Sequence, residues 1–124
     1  MLSEEQGQAL VRLARQEIEA RLGLRPAAAA GEDPVLGERR GVFVTLHRNR
    51  ELRGCIGSLA AVEPLAEGVR RNAINAAFHD YRFAPLTAVE LPEVHIEVSV
   101  LTEPQPLTYT DADDLTRQLR PGID

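Results

Sequence analysis

The sequence predicts an α+β fold, a mostly antiparallel sheet packed against helices. Three observations carry this. Residues 94–102 alternate Val94, Ile96, Val98 and Val100 with His95, Glu97, Ser99 and Leu101, the period of a strand with one buried face. Residues 41–59 hold two strand-like runs on either side of Arg48-Asn49-Arg50, the pattern of a hairpin. Residues 4–22 and 64–79 carry apolar side chains at helical spacing.

The first helix is expected over 4–22. Ser3 and Gln6 have capping-box spacing, Glu4 and Glu5 suit the positive end of the helix dipole, and Gly23 suits the C-terminal cap. Leu10, Leu13, Ala14, Ile18 and Leu22 form its apolar stripe, which reads as packing. Residues 24–40 read as an irregular connection marked by Pro26, Gly31, Asp33-Pro34 and Gly37, with room for a helical turn in the run Ala27–Ala30.

The hairpin register follows from the requirement that aliphatic residues share a face. A three-residue loop, Arg48-Asn49-Arg50, sets Leu46 against Leu52, Val44 against Gly54 and Val42 against Ile56. It leaves Thr45 opposite Arg53 and Phe43 opposite Cys55 on the other face. A two-residue loop would set Leu46 against Arg53 and mix the faces, because a one-residue slip flips every side chain.

The second helix is expected over 64–79, with Pro64 at its first position and Leu65, Val69, Ala73 and Ala76 inward. Asn72 and Asn75 lie beside that stripe, either bonding a neighbouring loop or lining a site. Tyr81 and Phe83, two of five aromatics in the chain, are expected to anchor the following loop to the core. Thr87 and Glu90 have the spacing of a small capped turn. Pro104 and Pro106 are expected to end the third strand, and a short acidic helix is expected over 111–119, starting from Thr110. Pro121-Gly122 is a turn signal with only two residues after it, so the sequence reads as one domain, 1–124, incomplete at its C-terminus.

Composition narrows the function classes. A chain of 124 residues suits one domain with one core. The net charge of −5 disfavours a general nucleic-acid surface, which needs clustered positive charge. All fourteen basic residues are Arg. One cysteine excludes an internal disulfide framework, and no apolar run is long enough to span a bilayer. The expectation is a soluble cytoplasmic protein.

The chemistry-bearing stretch is Leu52-Arg53-Gly54-Cys55-Ile56-Gly57. Strand alternation sends Arg53 and Cys55 to the same face, where a guanidinium beside a thiol would favour the thiolate. Gly54 and Gly57 permit close approach of a backbone or ligand. Asn72 and Asn75 are candidates to add hydrogen bonds. Two readings stand side by side. Cys55 is a small packing residue, as free cysteines commonly are, or it is a nucleophile or substrate contact beside an anion-binding Arg53. His47, His79, His95 and Cys55 lack metal-ligand spacing, so no metal site is expected. No phosphate-binding glycine loop or serine-hydrolase elbow is present, and no cofactor is implied.

These same residues carry a resemblance. Leu52–Gly57, together with Gly41–Leu46, Pro64–Glu67, Asn72-Ala73-Ile74, Ala76-Ala77-Phe78, Asp80, Arg82-Phe83, Pro85-Leu86-Thr87, Ile96–Leu101 and Leu119–Asp124, resembles the AMMECR family, whose prokaryotic members are called AmmeMemoRadiSam system protein A. The resemblance covers almost the whole chain. It implies an α+β fold and a functional site at Leu52–Gly57, without a settled activity. Family members often have Gly where Arg50 stands, and they continue past Asp124. The gene context in the family's name implies a modification or biosynthetic pathway shared with a Memo-like protein and a radical SAM enzyme. Two functions follow as expectations: a substrate-binding or catalytic component using Arg53 and Cys55, or a non-catalytic adaptor that docks proteins on the same surface. An incomplete sheet also leaves an edge for self-association.

Overall fold

The computed structural model describes residues 2–27, 31–58, 63–101 and 106–111. They form one antiparallel sheet with two helices on one side. Helix α1 is Glu4–Arg21, strands β1 and β2 are Val42–Arg48 and Glu51–Ser58, helix α2 is Leu65–Phe78, and strands β3 and β4 are Val94–Leu101 and Pro106–Thr110. The spatial order is β2-β1-β3-β4, so the hairpin lies at one end of the sheet and β2 is an edge.

The helices form where the local signals agree. Ser3 accepts from the Gln6 backbone while the Gln6 side chain accepts from Ser3, a complete capping box. Leu10, Val11, Ala14 and Ile18 are buried on one stripe of α1. Helix α2 begins at Leu65, one residue after the expected start, with extended Pro64 as its cap. Its Leu65, Val69, Ala73, Ala76 and Ala77 close on the sheet face made by Val42, Val44, Leu46, Ile96, Val98 and Val100. The sheet is therefore two-faced: alternate residues of β1 and β3 are core, and Phe43, Thr45, His47, His95, Glu97 and Ser99 point the other way.

The hairpin corrects the expected register. Arg48 pairs with Glu51, so the loop is only Asn49-Arg50, and both residues have positive φ, 53° and 69°. That is the two-residue turn whose twist suits a hairpin. The apolar pattern survives because the ladder slips at Arg53: His47 pairs with Leu52, but Leu46 pairs with Gly54. This β-bulge absorbs the residue that a continuous ladder would have placed against Leu46. Beyond it, Thr45 faces Cys55 rather than Arg53, and Phe43 faces Gly57 rather than Cys55.

Three further expectations change. Pro106 opens a strand instead of ending one, a position that costs no ladder bond. Strand β4 pairs with β3 through Thr110, which therefore does not begin a helix; apart from Asp111, the expected helix over 111–119 lies outside the described residues. Tyr81 does not anchor its loop, since it is 97% exposed. The segment between α1 and β1 is irregular but for a short 3₁₀ turn at Pro34–Gly37, and Ala28–Ala30 lie outside the described residues.

Candidate functional site

The two glycines of the signature serve opposite faces. A Cβ on Gly54 would lie 2.1 Å from the Ala76 carbonyl oxygen, so Gly54 is where α2 touches the sheet. A Cβ on Gly57 would lie 2.2 Å from the Phe43 ring, which therefore covers Gly57 on the face away from the helices. Cys55, between them in the alternation, is half-buried on that second face. Its thiol is not in the core.

Thr45 is the thiol's neighbour. Cys55 Sγ lies 3.2 Å from Thr45 Oγ1. The closeness has a backbone cause. The Cys55 N–H donates to Asp80 Oδ2 at 3.1 Å, and its carbonyl accepts from Arg82 Nη2 at 3.4 Å. Both backbone groups thus point off the sheet edge. Thr45 and Cys55 form the non-hydrogen-bonded kind of antiparallel pair, in which facing side chains approach most closely.

Asp80 and Arg82 make a clamp on that edge. Arg82 donates to both Asp80 oxygens, at 2.9 Å from Nε and 2.6 Å from Nη2, and its backbone N–H adds a third bond. Chiefly through the Arg82 bond, with the Cys55 and Arg82 backbone amides adding to it, the buried Asp80 carboxyl is held far below the usual carboxylate range. Phe83 lies between two guanidiniums, with Arg82 5.4 Å and Arg53 5.9 Å from its ring centre.

Arg53 is engaged elsewhere. Its Nε and Nη2 donate to Glu90 Oε2 and Oε1 at 3.0 and 3.1 Å, a bidentate pair. Arg48 and both the backbone and hydroxyl of Thr87 also donate to Glu90. Led by the Arg53 bonds, these contacts hold the Glu90 carboxyl at about 2. The guanidinium that bonds the Cys55 backbone is Arg82's, and the charge of Arg53 is already matched by an acid.

The other predicted site residues do not converge on the thiol. Asn72 is buried under the sheet and its side-chain amide donates to the Val42 carbonyl. Asn75 lines an open cleft of about 390 Å³ between the helices, with Glu17, Arg21, Glu63, Arg70 and Arg71. That cleft is laced by opposite charges, Arg71 with Glu63 and Arg70 with Glu17. Gly54 faces the core. Of the residues singled out, only Arg53, Cys55 and Gly57 lie on or beside the open end of the sheet.

Thr45, Asp80, Arg82 and Glu90 were not among the predicted site residues. Two signals were available: the Asp-x-Arg spacing before Phe83 in an aromatic-poor chain, and the Thr87/Glu90 pair already read as a turn. Their partners are 25 and 37 residues away in sequence, which periodicity does not reach.

On the face that no described helix covers, register sets Cys55, Thr45, Glu97 and the buried Thr110 in one row across all four strands. Among the described residues no group of three or more His, Cys, Asp or Glu side chains could hold a metal ion, and no helix is long and apolar enough to cross a membrane.

The chain is similar over nearly its whole length to archaeal proteins. A Methanothermobacter thermautotrophicus protein is 42% identical over 99% of this chain and 65% of its own length. One from Thermofilum pendens is 43% identical over 99% of this chain and 63% of its own. Protein MJ0810 of Methanocaldococcus jannaschii is 36% identical over 100% of this chain and 63% of its own. The chain thus spans less than two thirds of these relatives. The crystal structure of the uncharacterized protein PH0010 from Pyrococcus horikoshii is similar at a TM-score of 0.75 and 42% identity, covering 82% of this chain and 53% of that one. The AMMECR1 family model matches residues 11–124, and the chain belongs to the AMMECR1 family.

Proposed function

We propose that this chain is a substrate-binding component of a modification or biosynthetic pathway, and that its substrate sits on the open face of the sheet around Cys55 and Thr45. One observation carries the reading. The chain's only cysteine stands on the face that no described helix covers, hydrogen-bonded to a hydroxyl. In the same row follow Glu97 and Thr110, and the Phe43 ring lies beside it over Gly57. A strip of thiol, hydroxyl and carboxylate next to an aromatic ring suits a small polar molecule with one apolar edge.

Binding is favoured over nucleophilic catalysis. An activated thiol needs a base within hydrogen-bond reach, and the neighbour here is a threonine hydroxyl. Arg53, paired with Glu90, is not free to capture an anion. The pathway partners, a radical SAM enzyme and a Memo-like protein, rest on the family resemblance.

The test is amide NMR mapping against a library of small polar metabolites. A ligand of this site shifts Thr45, Cys55 and Glu97 together, and Thr45→Val weakens it at least tenfold. Ligands that shift only the helix face would overturn the reading.

The adaptor reading has its own support. Leu52, Tyr81 and Val89 are exposed, and all three lie on segments tied to β2. If a partner protein is the ligand, Cys55→Ser leaves binding intact while Tyr81→Ala and Val89→Ser weaken it.

A further inference from the structure

Arg82 has one guanidinium nitrogen to spare. Its Nε and Nη2 grip the two Asp80 oxygens, and Nη2 also reaches the Cys55 carbonyl. Among the described residues, Nη1 bonds none. The Asp80 side chain is 3% exposed and the Arg82 side chain 50%, so the acid is buried and the guanidinium it holds is open to solvent. The Phe83 ring supports the same group from 5.4 Å. A long side chain fixed by a buried acid, a strand carbonyl and a ring loses little freedom when a ligand takes its remaining nitrogen.

We propose that, with the substrate on the open face as read above, Arg82 determines its class: Nη1 takes a carboxylate oxygen of the substrate at the β2 edge, and the rest of the molecule lies over Cys55 and Thr45. Four observations converge on this. Arg82 bonds the backbone of the residue whose thiol stands on that face. Its basicity is raised chiefly by the Asp80 bond, and the Cys55 side chain adds to that, so guanidinium and thiol act on one another. Arg53 does not compete for the role, because its spare Nη1 is buried and its side chain is only 12% exposed. Glu97, the acid of the row, stands two strands in from Cys55, roughly 10 Å at the usual strand spacing. That is beyond a Debye length of about 8 Å in physiological salt, so an anion at the β2 edge is screened from it. One free nitrogen on an ion pair with no net charge suits a single negative charge, which selects a carboxylate over a phosphate dianion.

The thiol itself reports on the site. Iodoacetate and iodoacetamide alkylate the same sulfur, one carrying a carboxylate and the other a neutral amide. The ratio of their rates therefore cancels changes in thiol reactivity. The experiment measures this ratio by mass spectrometry at one fixed pH on the full 124-residue chain, native and urea-unfolded, and on Arg82→Gln. The chain's net charge of −5 would by itself lower the native ratio. The native ratio is expected to exceed the unfolded one by about fivefold or more, the scale of one partly screened charge-assisted hydrogen bond. Arg82→Gln, which keeps a donor for Asp80, is expected to return the ratio to the unfolded value or below. Acetate replacing chloride at matched ionic strength is expected to slow iodoacetate on the native parent and leave iodoacetamide unchanged. Should Arg82→Gln lose its fold by circular dichroism, the parent's ratio and the acetate competition decide. A native ratio no higher than the unfolded one overturns the inference. So does a raised ratio that persists in folded Arg82→Gln, and so does competition by inorganic phosphate but not by acetate. In each of these cases iodoacetamide still reaches the thiol, and the open face stands. A native thiol inert to both reagents overturns the open face and this inference together.

Discussion

Replacing Glu90 with glutamine removes the charge on which Arg53, Arg48 and Thr87 converge. Glu90 and Arg53 side chains are 15% and 12% exposed, between a surface ion pair and a buried one. Surface pairs contribute roughly 0–1 kcal/mol, whereas breaking a buried pair costs about 3–5 kcal/mol. Arg53 already has one buried nitrogen, Nη1, without a partner, so the loss falls on a guanidinium with little other satisfaction. An independent route gives a similar size. A carboxyl held at about 2, against an ordinary ~4.3, corresponds to roughly 3 kcal/mol before solvent screening. The expected destabilisation is about 2–3 kcal/mol. In urea, with a slope of about 1–2 kcal/mol/M for a domain of this size, the midpoint should fall by about 1–3 M. The sign of the pH dependence is fixed by the depressed value. The folded carboxyl binds protons less readily than the unfolded one, so its contribution is complete above about pH 5 and lost as pH falls towards 2. The parent should lose more stability than Glu90→Gln over that window. A midpoint change equivalent to under 0.5 kcal/mol, or full additivity with Arg53→Ala, would refute the reasoning.

Gly54→Ala should destabilise by about 3 kcal/mol or more in denaturant titration, because its Cβ meets backbone rather than a movable side chain. Gly57→Ala should be damaging alone and largely restored by Phe43→Ala in a double-mutant cycle, since the obstruction is one ring. Arg50→Gly should raise stability by about 1 kcal/mol in the same assay, because Arg50 holds a left-handed conformation at φ 69° that costs a side-chain-bearing residue. Tyr81→Ala should leave stability within about 0.5 kcal/mol in the same titration, because the side chain is almost fully exposed.

Periodicity made most of the fold legible. The stripes of α1 and α2 and the alternation of Val94–Leu101 are local patterns, and each element formed within a residue or so of its expected bounds. What escaped was non-local or depended on context. Nothing near Arg53 announces a bulge; it exists because Val42, Val44 and Leu46 must meet Gly54 and Ile56 on one face while the turn keeps two residues. Strand β4 escaped because Pro106 was read as a breaker, although its first-residue position needs no donor. Its register is also fixed from a distance: the Tyr109 ring packs where a Cβ on Gly7 would stand, so a glycine in the first turn of α1 marks a strand about a hundred residues later. The site was partly legible for the same reason. The signature marked Cys55 and Gly57, and strand alternation assigned Arg53 to the thiol's face; the bulge at Arg53 and its bonds to Glu90 lay outside that reading. Asn72, polar on an apolar stripe, turned out to bond a strand carbonyl.

The central claim is that Cys55 belongs to an open working face and not to the core. The rate of iodoacetamide alkylation of the native chain, followed by mass spectrometry from pH 6 to 10 alongside the urea-unfolded chain, tests it most directly. Native alkylation within about tenfold of the unfolded rate is the predicted result, because the thiol is half-buried and bonds a threonine hydroxyl on the face away from the described helices. Alkylation that proceeds only as fast as the chain unfolds would contradict it, and would return Cys55 to the packing residues.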